Sequence, residues 1–152
     1  MKKISVVIPM YFEEEVAEEC YNRTKKMLDT LENYEHEIIF VNDGSKDQTL
    51  PILENIAKND NNVKILSFSR NFGHQAAVTA GLKYTTGDVV AIMDADLQDP
   101  PEVITEMVKL WEQGNEVIYA KRKSREGESK FKLFSNTDIF LFLLIVSLLL
   151  NA

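Results

Sequence analysis

Short apolar runs alternate with longer stretches of mixed polarity along most of this chain. Five runs predict strands buried on both faces of a sheet: residues 4–8, 37–42, 63–68, 88–93 and 116–120. The stretches between them predict helices over residues 13–31, 50–57, 75–84 and 103–111. The third helix is rich in small residues, which allow a helix to lie close against a sheet. Strands that alternate with helices predict an α/β fold with a Rossmann-like, mostly parallel central sheet.

The pattern changes after residue 132. Residues 139–150 form an uncharged, leucine-rich run, which predicts a short apolar C-terminal helix. A membrane-spanning helix needs about 20 apolar residues, so this run is too short to span a bilayer alone. We expect it to lie at a membrane interface, to begin a longer span, or to bind a partner or a second copy of the chain, with a core helix as the alternative. The sequence thus divides into a domain of residues 1–123 and a basic linker with an apolar tail, residues 124–152.

The distribution of charge separates a basic segment from an otherwise acidic chain. The formal net charge is −7, which argues against a general nucleic-acid-binding protein. Residues 121–132 nevertheless hold six Lys or Arg side chains against two Glu side chains, shortly before the apolar run. Such a segment suits an anionic membrane surface, where each cation contributes up to about 1 kcal/mol. We therefore expect association with a membrane surface and no binding of nucleic acid.

The N-terminus and the cysteine content both favour the cytoplasm. The apolar run of residues 4–8 is too short for a signal peptide, and Pro9 and three acidic residues follow it. Cys20 is the one cysteine, so the chain can form no internal disulfide. Its place in a predicted helix indicates packing rather than chemistry.

Polar loops follow three of the predicted strands at the points where these strands end. These loops carry Pro9, Tyr11 and Glu13 after the first strand, Asp43 and Gly44 after the second, and Asp94, Asp96 and Gln98 after the fourth. The carboxyl ends of parallel strands share one edge of a sheet, which predicts a single pocket with an aromatic ring and several carboxylates. Each of these residues also has a purely structural interpretation. Asp43 can cap a turn, the Tyr11 ring can pack against other apolar groups, and an acidic turn can simply lie at the surface.

The acidic pair after the fourth strand suits a divalent cation. Asp94 and Asp96 lie one residue apart and can face a cation together, helped by a carbonyl oxygen such as that of Gln98. A cation held by Asp96 would neutralise a diphosphate leaving group. Arg122, at the end of the fifth strand, is placed to meet phosphate, with a solvated side chain as the alternative.

Five segments of the chain together resemble one enzyme family. They are residues 7–13, 41–47, 69–74 with 80–82, 93–102 and 122–129. The most specific part is the sequence D-A-D-L-Q-D-P-P at residues 94–101 together with S-R-N-F-G at residues 69–73. The chain resembles family-2 glycosyltransferases of the GT-A fold, above all the branch of dolichol-phosphate mannose synthases and bactoprenol glucosyltransferases. The likeness covers about residues 4–134 and implies a GT-A nucleotide-sugar-binding domain.

The resemblance implies a role for each matching residue. Pro9, Tyr11 and Glu13 would line the nucleotide pocket, Val41 and Asp43 would contact the base and ribose, Asp94 and Ala95 would border the nucleotide sugar, and Arg122 would lie near the phosphates or the acceptor. Asp96 and Gln98 would bind Mg²⁺ or Mn²⁺ with the diphosphate, and Asp94 and Asp96 are the expected catalytic residues. Asn42 stands where the family commonly has Asp.

The implied activity is inverting transfer of a sugar from a UDP- or GDP-sugar to a polyprenyl phosphate, undecaprenyl or dolichyl, at the cytoplasmic face of a membrane. The family's second acidic motif, a T-G-D-F-R-L-like segment that carries the expected catalytic base, has no counterpart after residue 134, so the chain resembles a truncated copy. The alternative is a catalytically incomplete remnant or a partner subunit that binds a nucleotide sugar, a membrane or another chain. A nucleotidyltransferase of related fold is disfavoured, because no glycine-rich loop with Arg and Lys follows residue 8.

Overall fold

The computed structural model describes residues 1–122, 131–134 and 142–146. Its strands are β1 (Lys2–Met10), β2 (Tyr34–Asn42), β3 (Val63–Ser67), β4 (Val89–Ile92), β5 (Val117–Arg122), β6 (Phe131–Phe134) and β7 (Phe142–Val146). Its helices are α1 (Ala17–Asp29), α2 (Thr49–Asn59), α3 (His74–Lys83) and α4 (Val103–Glu112). The five strands and four helices that the sequence predicts up to residue 120 are confirmed, with ends that differ by a few residues.

One sheet contains all of these strands, in the order β3-β2-β1-β4-β7-β5-β6. Strand β1 pairs in parallel with β2 and β4, and β2 pairs in parallel with β3. Strand β7 runs antiparallel to both β4 and β5, so β5 points the same way as β4, and β6 runs antiparallel to β5. The mostly parallel sheet is confirmed, and its first four strands end at the same edge.

The side chains of β1 alternate between two hydrophobic cores. Ile4, Val6 and Ile8 pack with α1, α2 and α4 on one face of the sheet, and Val7 packs with α3 on the other. Because both faces are covered, β1 is buried from its third residue onward. Cys20 belongs to the first core, where burial raises its pKa to about 12, so its predicted packing role is confirmed.

Helix α3 lies close to the sheet because its buried face is made of small residues. Ala77 and Gly81 are the buried residues of this helix. A Cβ atom added at Gly81 would lie 2.4 Å from Val7 Cγ1 and 3.1 Å from Val41 Cγ2, which leaves no room for it. The predicted close approach is confirmed, and it holds α3 against β1 and β2 at Gly81.

A buried carboxylate joins the strands towards their amino-terminal ends. Glu37 accepts hydrogen bonds from Ser5 Oγ at 2.6 Å and from the Thr86 backbone N–H at 2.6 Å. Lys64 Nζ and Lys3 Nζ lie 2.7 Å and 3.2 Å from its Oε2. Burial alone raises the pKa of a carboxyl group, but these donors outweigh burial and hold the pKa of Glu37 at about 2. The network ties three strands together at the end of the sheet opposite to the predicted site.

The predicted C-terminal helix is wrong for the residues of that run that the structure describes. Phe142–Val146 form β7, whose backbone pairs with β4 on one side and with β5 on the other. A short apolar run fits a buried strand as well as a helix, so the sequence pattern alone does not separate the two. The strand also pairs the backbone groups of β4 and β5 that face the gap between them, and these would otherwise stay unsatisfied.

Several other expectations concern parts of the chain outside the described residues. These are the basic segment at residues 123–130, the side chains of residues 121–122, and the rest of the apolar run at residues 139–141 and 147–150. Across the described residues, no helix combines the length and the apolar character that crossing a membrane requires.

Candidate functional site

A cavity of about 430 Å³ opens at the edge of the sheet where β1, β2 and β4 end. It is lined by Pro9, Met10, Tyr11, Glu13, Asp43, Asn71, His74, Asp94, Ala95 and Asp96. Seven of these residues are predicted as site residues from three separate loops. The parallel sheet brings them together, because each loop follows a strand that ends at this edge.

The loop after β1 is held in an uncommon conformation. Phe12 has a φ of 54°, and its backbone N–H donates to Ser45 Oγ at 3.0 Å. The following N–H, that of Glu13, donates to Thr49 Oγ1 at 2.9 Å. A positive φ outside glycine costs on the order of 1–3 kcal/mol, so these bonds fix a conformation that the chain would not adopt by itself. The loop thereby holds the half-exposed Tyr11 ring at the wall of the cavity, edge-on to the Phe12 ring.

Glu13 lies among other acidic side chains. Burial raises its pKa, and the negative charges of Asp96, Asp47 and Asp94 raise it further. No Lys or Arg stands among the described residues that line the cavity, so these charges are not balanced there. The cavity therefore carries a negative potential that favours a cation.

The two aspartates after β4 lie in a tight turn. Leu97 has a φ of 57°, and the Gln98 backbone N–H donates to Asp96 Oδ1 at 3.1 Å. Asp96 is exposed at the cavity, while Ala95 is 3% exposed and packs into the core behind it. The turn thus places the carboxylates of Asp94 and Asp96 at the cavity on either side of a buried residue.

Both carboxylate oxygens of Asp43 are engaged by the loop between β3 and α3. Its Oδ1 accepts the Phe72 backbone N–H at 2.7 Å. Its Oδ2 accepts the Gly73 backbone N–H at 3.0 Å and Asn71 Nδ2 at 3.1 Å. Asp43 is 3% exposed, so water competes little for these charge-assisted bonds. Asp43 therefore lines the cavity and also fixes this neighbouring loop.

Three cavity residues, Met10, Asn71 and His74, are not predicted as site residues. Asn71 and His74 belong to the segment at residues 69–74 that contributes to the family resemblance, but no role is predicted for them. His74 is the first residue of α3, and its Nε2 lies 3.0 Å from Asp94 Oδ1. The loop after β3 could have been predicted to reach the site, because β3 runs parallel to β2 and therefore ends at the same edge of the sheet.

Two predicted site residues, Val41 and Gln98, are not among those that line the cavity. Val41 is fully buried beneath α3, so only its backbone could meet a ligand. Gln98 is exposed in the turn after β4. Arg122 ends β5, and its side chain lies outside the described residues. Asn42 is buried and donates to Ser67 Oγ at 3.0 Å, so its side chain has a structural task.

The oxygen ligands at the cavity fit a magnesium or manganese ion. Such hard cations prefer carboxylate oxygens, which Asp96 and its neighbours supply. Within the described part of the chain, no group of three or more His, Cys, Asp or Glu side chains is arranged to hold a metal ion. Asp96 would therefore hold a cation together with oxygens of a bound ligand, as is usual for Mg²⁺ and phosphates.

Comparison with known sequences identifies relatives that match most of the chain. The pattern of the family described as "Glycosyl transferase family 2" matches residues 5–148. The chain is 54% identical over 129 residues to YkcC of Bacillus subtilis (strain 168), an uncharacterized glycosyltransferase. This alignment covers 84% of this chain and 39% of the relative. It is 45% identical over 130 residues to the bactoprenol glucosyl transferase of Shigella phage SfX, and this alignment covers 86% of this chain and 42% of that relative. The chain thus spans about 40% of the length of these relatives.

Comparison with solved structures identifies similar folds that hold nucleotides. One is S. aureus TarS 1-349 in complex with UDP-GlcNAc, with a TM-score of 0.65 and 28% identity over 84% of this chain and 36% of that chain. Another is glucosyl-3-phosphoglycerate synthase from Mycobacterium tuberculosis in complex with Mn²⁺, UDP and phosphoglyceric acid. Its TM-score is 0.60, with 25% identity over 76% of this chain and 42% of that chain. The GT-A fold that the resemblance implies is confirmed, and the family match and the relatives show that this chain belongs to glycosyl transferase family 2.

Proposed function

We propose that the cavity binds the donor substrate of a glycosyltransferase, a UDP- or GDP-sugar. The observation that carries this proposal is the convergence of loops from four parallel strands around one cavity that presents an aromatic ring and several carboxylates. A base would lie against Tyr11, near the ends of β1 and β2, and ribose hydroxyls would donate to carboxylates at the cavity wall. UDP-GlcNAc in TarS and UDP in the synthase support this assignment, since both proteins share the fold.

The donor would bind together with Mg²⁺ or Mn²⁺. The charge of the cavity is negative, and a diphosphate is also negative, so the two repel each other unless a cation lies between them. Asp96 would hold this cation, with Gln98 beside it, and Asp94 and Ala95 would border the sugar. When bound, the cation would act as a Lewis acid that neutralises the departing nucleoside diphosphate. The Mn²⁺ in the synthase complex supports this part of the proposal.

The proposed reaction is inverting transfer of the sugar to a polyprenyl phosphate, such as undecaprenyl or dolichyl phosphate. An oxygen of the acceptor phosphate would attack the anomeric carbon, and the bond from that carbon to the donor diphosphate would break with its electrons leaving on the diphosphate. The name of the Shigella phage relative supports a bactoprenol acceptor. Because such an acceptor is anchored in a bilayer, we place the reaction at the cytoplasmic face of the membrane.

A thermal-shift screen tests the donor proposal. The purified chain is heated with UDP, GDP and their sugars, each with and without Mn²⁺. A ligand that binds only the folded state raises the unfolding temperature, so one nucleotide series should do so and should require Mn²⁺. If none of them shifts the unfolding temperature, the donor assignment is contradicted.

A transfer assay tests the reaction separately. The chain is incubated with the donor found in the screen, Mn²⁺ and undecaprenyl phosphate in detergent, and the lipid fraction is analysed for attached sugar. Lipid-linked sugar would support the complete reaction. Donor binding without transfer would instead support the alternative of a nucleotide-sugar-binding subunit that needs further protein for catalysis.

A further inference from the structure

The imidazole of His74 lies at the donor cavity but has no part in the functions described so far. Its Nε2 lies 3.0 Å from Asp94 Oδ1, and the side chain is 64% exposed. An ionised carboxylate only accepts hydrogen bonds, so Nε2 carries the proton in this contact. Asp94 follows β4 and His74 begins α3, so the contact joins two elements across the cavity.

The fold holds the backbone of His74 from two directions. On one side, Asp43 accepts the backbone N–H groups of Phe72 and Gly73, the two residues directly before it. On the other side, α3 packs so closely against the sheet at Gly81 that no space remains for a Cβ atom. This fixed backbone keeps the His74 ring within reach of Asp94, and the bond between the two side chains orders both of them.

The backbone hydrogen bond described within the turn after β4, from the Gln98 N–H, is accepted by Asp96 and not by Asp94. The Asp94 side chain is 43% exposed, so it would sample several rotamers without a partner. The bond from His74 engages one carboxylate oxygen and thereby limits where the other oxygen points.

We propose that His74 is a positioning residue of the donor site, which donates its Nε2–H to Asp94 and orients that carboxylate towards the bound nucleotide sugar. This inference rests on the proposed donor function of the cavity. Preorganised side chains lower the ordering cost that binding would otherwise carry. A partly exposed, charge-assisted bond of this kind accounts for roughly a three- to tenfold change in affinity.

Three variants test the role of the donated proton. His74→Ala removes the donor, whereas His74→Gln keeps an amide N–H at a similar distance from the backbone. Thr79→Ala is the matched control, because Thr79 is exposed on the same helix and is not among the residues that line the cavity. Calorimetry with Mn²⁺ and the nucleotide sugar that the wild type binds measures affinity, and circular dichroism checks that each variant is folded.

The expected result is a three- to tenfold weaker affinity for His74→Ala, with affinity largely restored in His74→Gln and unchanged in Thr79→Ala. Rescue by glutamine would not follow from a purely structural role of the ring. Wild-type affinity in His74→Ala would overturn the positioning role and leave the donor function intact. Equal weakening in His74→Ala and His74→Gln would also overturn it, because the N–H would then not be the group that matters. A wild type that binds no nucleotide sugar would overturn the proposed function and this inference with it.

Discussion

At the scale of single residues, the carboxylates around the cavity have very different surroundings. Asp43 is buried and accepts three hydrogen bonds from one loop, whereas Asp96 is exposed and accepts one from its own turn. Glu13 has a raised pKa because burial and its acidic neighbours both oppose its charge. Asp43 therefore stabilises the site, whereas Asp96 is free to face a ligand, although both are acids that follow a strand.

Replacing Asp43 should loosen the loop that precedes α3. In Asp43→Asn, an NH2 group replaces one carboxylate oxygen, so the backbone N–H of either Phe72 or Gly73 loses its acceptor. We expect a loss of about 1–3 kcal/mol in the free energy of unfolding, together with faster hydrogen exchange at the amide that loses its acceptor. Urea unfolding and hydrogen-exchange mass spectrometry measure both effects.

Asp96→Asn is the matched control, because Asp96 is exposed and, among the described residues, its hydrogen bond lies within its own turn. Its free energy of unfolding should stay within about 0.5 kcal/mol of the wild type. Equal stability of the Asp43→Asn and Asp96→Asn variants would contradict the structural role of Asp43.

The buried carboxylate of Glu37 should make the stability of the protein depend on pH in the acid range. Its folded-state pKa of about 2 lies below the ordinary value of 4.5, so its contribution is complete above about pH 4.5 and is lost as pH falls towards 2. The difference between the two pKa values corresponds to roughly 3 kcal/mol at neutral pH. Glu37→Gln should therefore unfold more easily at pH 7, and the gap to the wild type should close at pH 2–3.

Unfolding by urea at several pH values measures this gap. Glu106→Gln serves as the control, since Glu106 is an exposed partner of Lys109 on α4 and should contribute within about 0.5 kcal/mol at any pH. A gap between Glu37→Gln and the wild type that stays constant from pH 7 to pH 2.5 would show that the charge of Glu37 is not the source of the stability.

At the scale of elements, local pattern and pairing contribute different information. The buried runs and the small-residue helix are visible in the sequence because side-chain periodicity and size determine them locally. The place of β7 is not visible, because it depends on the backbone groups that β4 and β5 leave open, which are distant in sequence. The start of α1 differs for a similar reason: Thr49 and Ser45 hold the loop after β1 and delay the helix until Ala17.

The packing of α3 predicts an unfavourable Gly81→Ala substitution. Alanine normally favours a helix by about 1 kcal/mol over glycine. Here its Cβ atom would lie 2.4 Å from Val7 Cγ1, so we expect a net loss of about 1–3 kcal/mol in the free energy of unfolding. In a Val7→Ala background, where this methyl group is absent, the same substitution should cost clearly less. Equal costs in the two backgrounds, measured by urea unfolding, would argue against the close contact.

At the scale of the whole molecule, the parallel sheet brings the candidate site residues of separate loops together at one edge. The loops after β1, β2 and β4 are predictable as a site because parallel strands share an edge, and the acidic residues there stand out in the sequence. The part played by the β3–α3 loop is less evident, because Asn71 and His74 have no charge pattern that marks them. The three bonds from that loop to Asp43 become visible only when β2 and β3 lie side by side.

We propose that this edge of the sheet binds a nucleotide sugar through a cation held by Asp96, and calorimetry of the Asp96→Asn variant tests this role. The wild type, Asp96→Asn and the control Glu106→Gln are titrated with the nucleotide sugar, with and without Mn²⁺. We predict that Mn²⁺ strengthens binding to the wild type and to Glu106→Gln. In the presence of Mn²⁺, Asp96→Asn should bind the nucleotide sugar at least about tenfold more weakly than the wild type, since even residues that only contact the metal ligands contribute that much. Mn²⁺-dependent binding to Asp96→Asn with wild-type affinity would contradict the claim.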